Sequence, residues 1–302
     1  MSEALYGADG FFRRQEGPSG HFRTSAHASP LFAQAIARLA SEHGLATVID
    51  LGAGRGELLE GLRNAAPDLQ LIGIEIVDRP ACLHDSIAWH DDVPDISNAL
   101  LIANEWLDNV PVDVVELTDE GPRIVLVDDF GNEVLGPAPR PEDAAWLEMW
   151  WPLSSTGDRA EIGRPRDEAW AEAVSHLNSG IAIAVDYTHT RSTRPQFGTL
   201  AGYRAGRQVA PVPDGSCDIT AHVAIDSIGE GILMSQRQAL RRLGVDGSRP
   251  PLDLARSDPG AYLSALQQAS DAAELTSQAG LGAFTWLIQP VNVQLRMGDS
   301  TA

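Results

Sequence analysis

The chain has 302 residues, 43% of them hydrophobic, enough to bury a full core in one domain with an accessory part. Its formal net charge of −20 argues against nucleic acid, a polyanion that such a surface repels, and no apolar run reaches the roughly 18 residues of a membrane span. Cys82 and Cys217 lack C-x-x-C spacing and Met1-Ser2-Glu3 opens no signal peptide, so the expectation is a cytoplasmic protein without disulfides or a metal site.

Residues 1–28 mix Gly, Ser, Arg and His with Phe11, Phe12 and Phe22, and read as an ordered loop or lid whose rings need something to cover. A helix is predicted over 30–43: Leu31, Phe32, Ala35, Ile36 and Leu39 recur at helical spacing, Ser29-Pro30 starts it and Gly44 stops it. Strands are predicted over 46–51, 69–76, 87–90 and 99–104, with a helix over 57–65. The 99–104 run is continuously apolar, as in a sheet buried on both faces. Residues 112–117 and 123–127 read as further strands, joined in a hairpin across Asp119-Glu120-Gly121. Prolines 137, 139 and 141 and Trp146, Trp150 and Trp151 then change the character of the chain. A helix over 166–177 and a second apolar strand over 180–187 follow. Residues 188–218 show no period and carry Arg191, Arg194, Arg204 and Arg207, a candidate substrate-facing loop. Helices over 235–243 and 259–272 and a strand over 283–288 complete the series. Strand–helix alternation predicts an α/β fold, a Rossmann-like doubly wound sheet with helical and loop insertions.

The most informative stretch joins the first strand to the next helix: Asp50-Leu51-Gly52-Ala53-Gly54-Arg55-Gly56-Glu57. Gly52, Gly54 and Gly56 let a ligand approach main-chain N–H groups and a helix N-terminus. A dinucleotide turn would want a small residue where Glu57 stands. Glu57 is a poor neighbour for a pyrophosphate and a good one for a cation, so the turn suits S-adenosyl-L-methionine (SAM), with its sulfonium and ammonium groups. Glu75 ends the second strand, where a carboxylate can take both ribose hydroxyls; otherwise it is a surface Glu. Asp91, in His90-Asp91-Asp92, follows the third strand and either takes the adenine amino group or belongs to a polar turn. Asn104-Glu105-Trp106-Leu107-Asp108-Asn109 ends the fourth strand, at the sheet edge where ligands bind. There Glu105 and Asp108 could hold a cationic acceptor and take its proton; alternatively Asp108 caps a short helix and Glu105 is structural. Asp186-Tyr187 ends the later apolar strand, as a site candidate or as an anchor for the loop behind it.

Taken together, these segments resemble the MidA-like family of SAM-dependent methyltransferases, which includes the mitochondrial protein-arginine methyltransferase needed for complex I assembly. The resemblance spans residues 10–290. Gly20-His21-Phe22-Arg23-Thr24-Ser25 is similar to the family's G-D-F-x-T-S, and the glycine turn to its E-x-G-x-G-x-G. The segment 103–112 is similar to A-N-E-F-F-D-A-L-P-V, and Val185-Asp186-Tyr187 to I-D-Y-G. Thr199–Arg204 is similar to T-L-R-G-Y-R, and Cys217–Val223 to A-D-I-T-A-H-V. The chain departs from the family at His21, at Thr188 and after Arg204, and is shorter than most members. The resemblance implies SAM as cofactor, held by Thr24, Asp50, Gly52, Gly54, Gly56, Glu75, Asp91 and Asn104. It places Glu105 and Asp108 at the chemistry and Asp186, Tyr187, Asp218 and His222 at the substrate, although Asp218 could equally hold a packed turn and His222 be a core histidine.

The expected layout is an N-terminal lid and helix over 1–45, a SAM-binding core over 46–130, an accessory helical insertion over 131–178, and the remaining sheet over 179–302. The leading expectation is methyl transfer to a protein, with arginine nitrogen the acceptor by resemblance. A small-molecule O- or N-methyltransferase and a non-catalytic assembly protein, carried by the departures at His21 and Thr188, are the alternatives. Oligomeric state is left open.

Overall fold

The computed structural model describes residues 1–13 and 24–295. The chain divides into two compact units, each assembled from separate stretches. One comprises Arg23–Asn104, His176–Val185 and Gly231–Ala302; the other comprises Met1–Phe22, Glu105–Ser175 and Asp186–Glu230.

The first unit holds a seven-stranded sheet: β1 (Thr47–Leu51), β2 (Gln70–Ile74), β3 (Ile87–His90), β4 (Ile96–Asn104), β5 (Leu177–Asp186), β6 (Ile232–Ser235) and β7 (Thr285–Val291). The strand order is β6-β7-β5-β4-β1-β2-β3. Strands β3, β2, β1, β4 and β5 run parallel, and β6 runs antiparallel to β7. The order reverses between β1 and β4, the switch point where a crevice opens at the carboxyl ends of the strands. β1 is buried throughout because it lies mid-sheet. Helices Pro30–Glu42, Glu57–Ala65, Gln236–Arg242 and Pro259–Leu275 contribute Phe32, Ile36, Leu59, Leu62, Leu240 and Leu275 to its core, with Phe284 and Trp286 from the β7 side. Each such side chain contributes about 1.5–3 kcal/mol on burial. The α/β doubly wound sheet expected from the sequence is present. Three elements carried too little pattern to be read: the four-residue helix Ser25–Ala28, β6 with four residues at the sheet edge, and the exposed helix Leu252–Ser257. The helix begun at Pro259 runs three residues past 272, and Asp258 caps it by accepting from the Ala261 N–H at 2.9 Å.

The second unit is built differently. Its four-stranded antiparallel sheet has the order Glu133–Leu135, Gly121–Val127, Val114–Thr118, Arg159–Glu161. The expected hairpin is there, closing Thr118 on Gly121. Val115, Ala160, Ile162, Trp146, Leu147 and Trp151 pack as its core. Residues 105–130, expected within the cofactor core, fold here instead, because the tryptophans of helix Pro141–Trp150 cover their sheet rather than the Rossmann-like one. Helix Arg164–Ser175 starts two residues before its expected place. The segment 188–218, which showed no period, contains strands Ala201–Arg204 and Arg207–Val209, and the first pairs with Asp218–Thr220. Strands this short hold too few residues to show an alternation. At the N-terminus, helix Ser2–Tyr6 and Phe11 pack on Cys217 and Ile219. His21, Phe22 and the start of the G-H-F-R-T-S motif lie outside the described residues. Among the described residues no helix is long and apolar enough to cross a membrane, and no group of three or more His, Cys, Asp or Glu could hold a metal.

Candidate active site

In the first unit the chain leaves β1 through Gly52, Gly54 and Gly56, with φ of 74°, 57° and 84°. All three lie in the left-handed region that a β-carbon disfavours. The Gly52 and Ala53 N–H groups donate to the Ile74 carbonyl at 3.0 and 3.1 Å, which fastens the turn to β2. Gly56 then starts helix Glu57–Ala65, and a β-carbon there would sit 2.5 Å from Leu83 Cδ1. At Gly54 a β-carbon would meet only Glu57 Oε2, at 3.5 Å, so an open cradle lies over this residue. The Gly54 N–H donates to Glu75 Oε2 at 2.9 Å, and the Ile76 N–H donates to Glu75 Oε1 at 2.8 Å. Glu57 Oε2 accepts from the Arg55 N–H at 3.1 Å, while its Oε1 lies 3.1 Å from His27 Nε2. His27 Nδ1 is in turn 2.7 Å from the Thr24 hydroxyl. The short helix Ser25–Ala28 that carries His27 is anchored by a buried polar group: Gln236 Nε2 donates to Ser25 Oγ at 3.0 Å and Trp286 Nε1 donates to Gln236 Oε1 at 3.2 Å. Because β1 to β4 are parallel, Asp50, Glu75, Asp91 and Asn104 come out at one edge, with Asp91 exposed.

Three carboxylates surround this turn. Burial, reinforced by the charges of Glu57 and Glu75, pushes Asp50 up to about 8. Burial also raises Glu75, against the N–H groups of Gly54 and Ile76. Burial acts in the same direction on Glu57, but its bonds to His27 and to the Arg55 N–H outweigh it and hold the carboxyl below its usual range. The cradle over Gly54 and these carboxylates fit a nucleoside with a cationic end and no phosphate.

The second unit gathers the other candidates. Glu105 has φ of 54°, the strained left-handed conformation for a residue with a side chain. It leads into the 3₁₀ turn Leu107–Asn109, whose N-cap is Trp106, so Asp108 does not cap a helix. The Asp108 N–H donates to Asp186 Oδ2 at 3.2 Å, and the Tyr187 N–H donates to Asp186 Oδ1 at 2.8 Å. Asp186 is thus an anchor, and it stands beside Asp108. The Thr220 hydroxyl donates to Asp108 Oδ2 at 2.6 Å. Asp108 is 7% exposed, and its Oδ1 is buried with no hydrogen-bond partner among the described residues. Asp218 is buried and accepts from Asn109 Nδ2 at 2.9 Å. His222 is exposed rather than a core histidine, and its ring stacks on Tyr187 with centroids 5.7 Å apart. Burial raises Asp108, opposed by the Thr220 hydroxyl and by Arg166. It pushes Asp186 well above the carboxylate range, with the Asp108 charge adding to the effect. Burial and the Asp108 charge bring Asp218 up to about 8. The Tyr187 phenol is raised too, by burial and then by Glu105 and Asp108.

The structure therefore collects Thr24, Asp50, the three glycines and Glu75 around one turn, and Asp108, Asp186 and Asp218 around another. Two residues in these groups carried no sequence signal. His27 connects Thr24 to Glu57, and Arg166 is a fully buried guanidinium bonded to main-chain carbonyls beside Asp108. A helical reading of 166–177 covered Arg166, but nothing in it marked that side chain as buried.

The family described as "Putative S-adenosyl-L-methionine-dependent methyltransferase" matches residues 31–239. A protein from Burkholderia thailandensis, solved with S-adenosyl-homocysteine bound, is 24% identical; the match covers 99% of this chain and 90% of that one, with a TM-score of 0.79. A native structure from the same organism, also 24% identical, matches over 98% of this chain and 87% of that one, again with a TM-score of 0.79. No curated protein matches the chain. The two likenesses establish the shared fold, and the family match covers the glycine turn, the strand ends and both aspartate-bearing segments. The chain accordingly belongs to the MidA-like family of SAM-dependent methyltransferases, with SAM as its cofactor.

Proposed function

We propose that the methyl acceptor is a protein side chain, an arginine nitrogen, and that Glu105 and Asp108 receive it. One observation carries this reading: Asp108 Oδ1 is a buried acceptor atom with no hydrogen bond among the described residues, in a centre that also holds Asp186 and Asp218. Leaving such an atom unbonded costs about 1–3 kcal/mol, and an N–H from a substrate removes that cost. A guanidinium supplies paired donors and a positive charge, matching carboxylates in a way a hydroxyl acceptor does not. The stacked rings of Tyr187 and His222 offer a flat face for the same planar group. When bound, SAM supplies a methyl group made electrophilic by its sulfonium. The chain's own part is to orient the nucleophile and to take the proton the guanidinium must lose, for which Asp108 Oδ1, the buried acceptor atom, is the position. On the cofactor side, Thr24, Asp50, Gly52, Gly54, Gly56, Glu75, Asp91 and Asn104 hold SAM in this reading, with Glu57 and His27 completing the turn.

The test is to incubate the protein with methyl-labelled SAM and a cell lysate, then to locate the label. Label on arginine of a protein supports the reading; label confined to small molecules replaces it with a small-molecule methyltransferase. Glu105→Gln and Asp108→Asn should keep SAM affinity within about twofold and lose transfer, since each removes a charge that the acceptor needs. Wild-type transfer in both variants would remove the two residues from the mechanism. Lost SAM binding in both would make them cofactor ligands.

A further inference from the structure

Arg166 is 2% exposed, and its donors go to main-chain oxygens. Nε donates to Val110 at 3.1 Å, Nη1 to Ala221 and His222 at 2.9 and 3.1 Å, and Nη2 to Asp108 at 2.6 Å. These four carbonyls belong to two segments, the turn that carries Asp108 and the stretch that carries Thr220 and His222. The Ala221 N–H also donates to the Asp108 carbonyl at 3.3 Å, so Arg166 closes a bridge between them. Carbonyls solvate a guanidinium without neutralising it. The acidic groups that act on it through charge are Asp108, Asp186 and Glu161, followed by the Tyr6 phenol. The Asp108–Asp186 pair also feels Glu105, Asp218 and Tyr187, all of them acids that become negative on ionisation. Burial disfavours the charged form of such a group of acids, and a cation beside it acts in the opposite direction.

We propose that Arg166 is a positioning residue of the acceptor centre: it fastens the Asp108 turn to the 220–222 segment, and it is the counter-charge that eases ionisation of the Asp108–Asp186 pair against the burial that opposes it. It touches neither cofactor nor acceptor in this scheme and acts through Asp108. The inference rests on the reading of Asp108 as the acceptor-side carboxylate. Its counter-charge role is nevertheless measurable without any acceptor.

The experiment compares the full chain with Arg166→Met and Arg166→Lys. Aspartate carboxyl carbons are titrated by ¹³C NMR, with Asp108→Asn and Asp186→Asn used for assignment, and SAM affinity is measured by calorimetry. Removing the charge in Arg166→Met should move the apparent ionisation of the pair upward by about one pH unit or more. SAM affinity should stay within about twofold. Arg166→Lys keeps the charge but cannot span four carbonyls, so it should leave the ionisation within about half a unit and lower the maximal transfer rate at least roughly tenfold. An unmoved titration in folded Arg166→Met overturns the counter-charge role, and wild-type turnover in Arg166→Lys overturns the fastening role. Should Arg166→Met not fold, the lysine variant decides: a titration displaced by a full unit despite the retained charge counts against the proposal, as does unchanged turnover. A wild-type protein with no protein acceptor but a titration that moves as described would fail the acceptor reading and leave the counter-charge standing.

Discussion

Glu75 shows how much one carboxylate can organise. One oxygen holds the Gly54 N–H and the other holds the Ile76 N–H, so the side chain stiffens the glycine turn from the neighbouring strand. Glu75→Ala removes that brace and the acceptor expected for the ribose hydroxyls. Hydrogen bonds to charged groups are worth about 1.5–3 kcal/mol, so SAM affinity measured by calorimetry should fall roughly ten- to a hundredfold. An unchanged dissociation constant would place the ribose elsewhere. Gly54→Val is harsher. It puts a β-branched residue at φ of 57° and fills the open space above the turn. SAM binding should be abolished while the far-ultraviolet circular dichroism spectrum stays native. Glu75 and Asp50 were legible as residues because strand ends are readable from apolar runs. Arg166 was not, because its partners are carbonyls, and a carbonyl carries no residue identity.

Among the elements, the short helix Ser25–Ala28 has too few residues to be stable by itself. Its place depends on Gln236, which bonds Ser25 and Trp286 inside the core and opens the helix capped by Ser235. Gln236→Leu keeps the volume and strands both partners. The cost should be about 1–3 kcal/mol in denaturant unfolding. SAM affinity should fall as well, because Thr24 and His27 lose their footing beside Glu57. Native affinity in that variant would detach the 24–28 segment from the cofactor. The strands and helices of the sheet unit were readable where a run of five or more residues kept one period, as in the buried β1 and β5 or the Pro30–Glu42 helix. The three- and four-residue strands of the other unit were not. Their pairing partners lie tens of residues away in places, as where Val114 meets Glu161, and runs so short show no alternation of their own.

At the scale of the whole protein, pH acts through buried acids in both units. Asp50 and Asp218 are each pushed up to about 8 from an ordinary value of 3.8. Between those two pH values the folded chain binds more protons than the unfolded one, so stability declines as pH rises from about 4 through about 8. The melting temperature of the ligand-free protein should therefore be lower at pH 9 than at pH 6, by about 2–4 °C for each kcal/mol lost. Asp218→Asn should flatten part of that slope at any salt concentration, whereas repulsion among the surface charges of a −20 chain would fade in about 1 M salt. Saturating SAM should raise the melting temperature more at pH 9 than at pH 6, because its positive charge offsets the ionised Asp50. A flat profile in both states would mean that these carboxyls are not charged at the cost described.

By itself the sequence determined the α/β class, the family, the glycine turn and the strand ends that come out beside it. These depend on short-range facts: the periodicity of apolar residues, the φ freedom of glycine, and motifs of a few residues. The tertiary structure alone decided that the chain interleaves two units, that Thr220 reaches Asp108 from 112 residues away, and that Asp108, Asp186 and Asp218 share a buried site with Arg166. Those outcomes depend on desolvation and on bonds to main-chain atoms, and both come into being only when distant segments pack together.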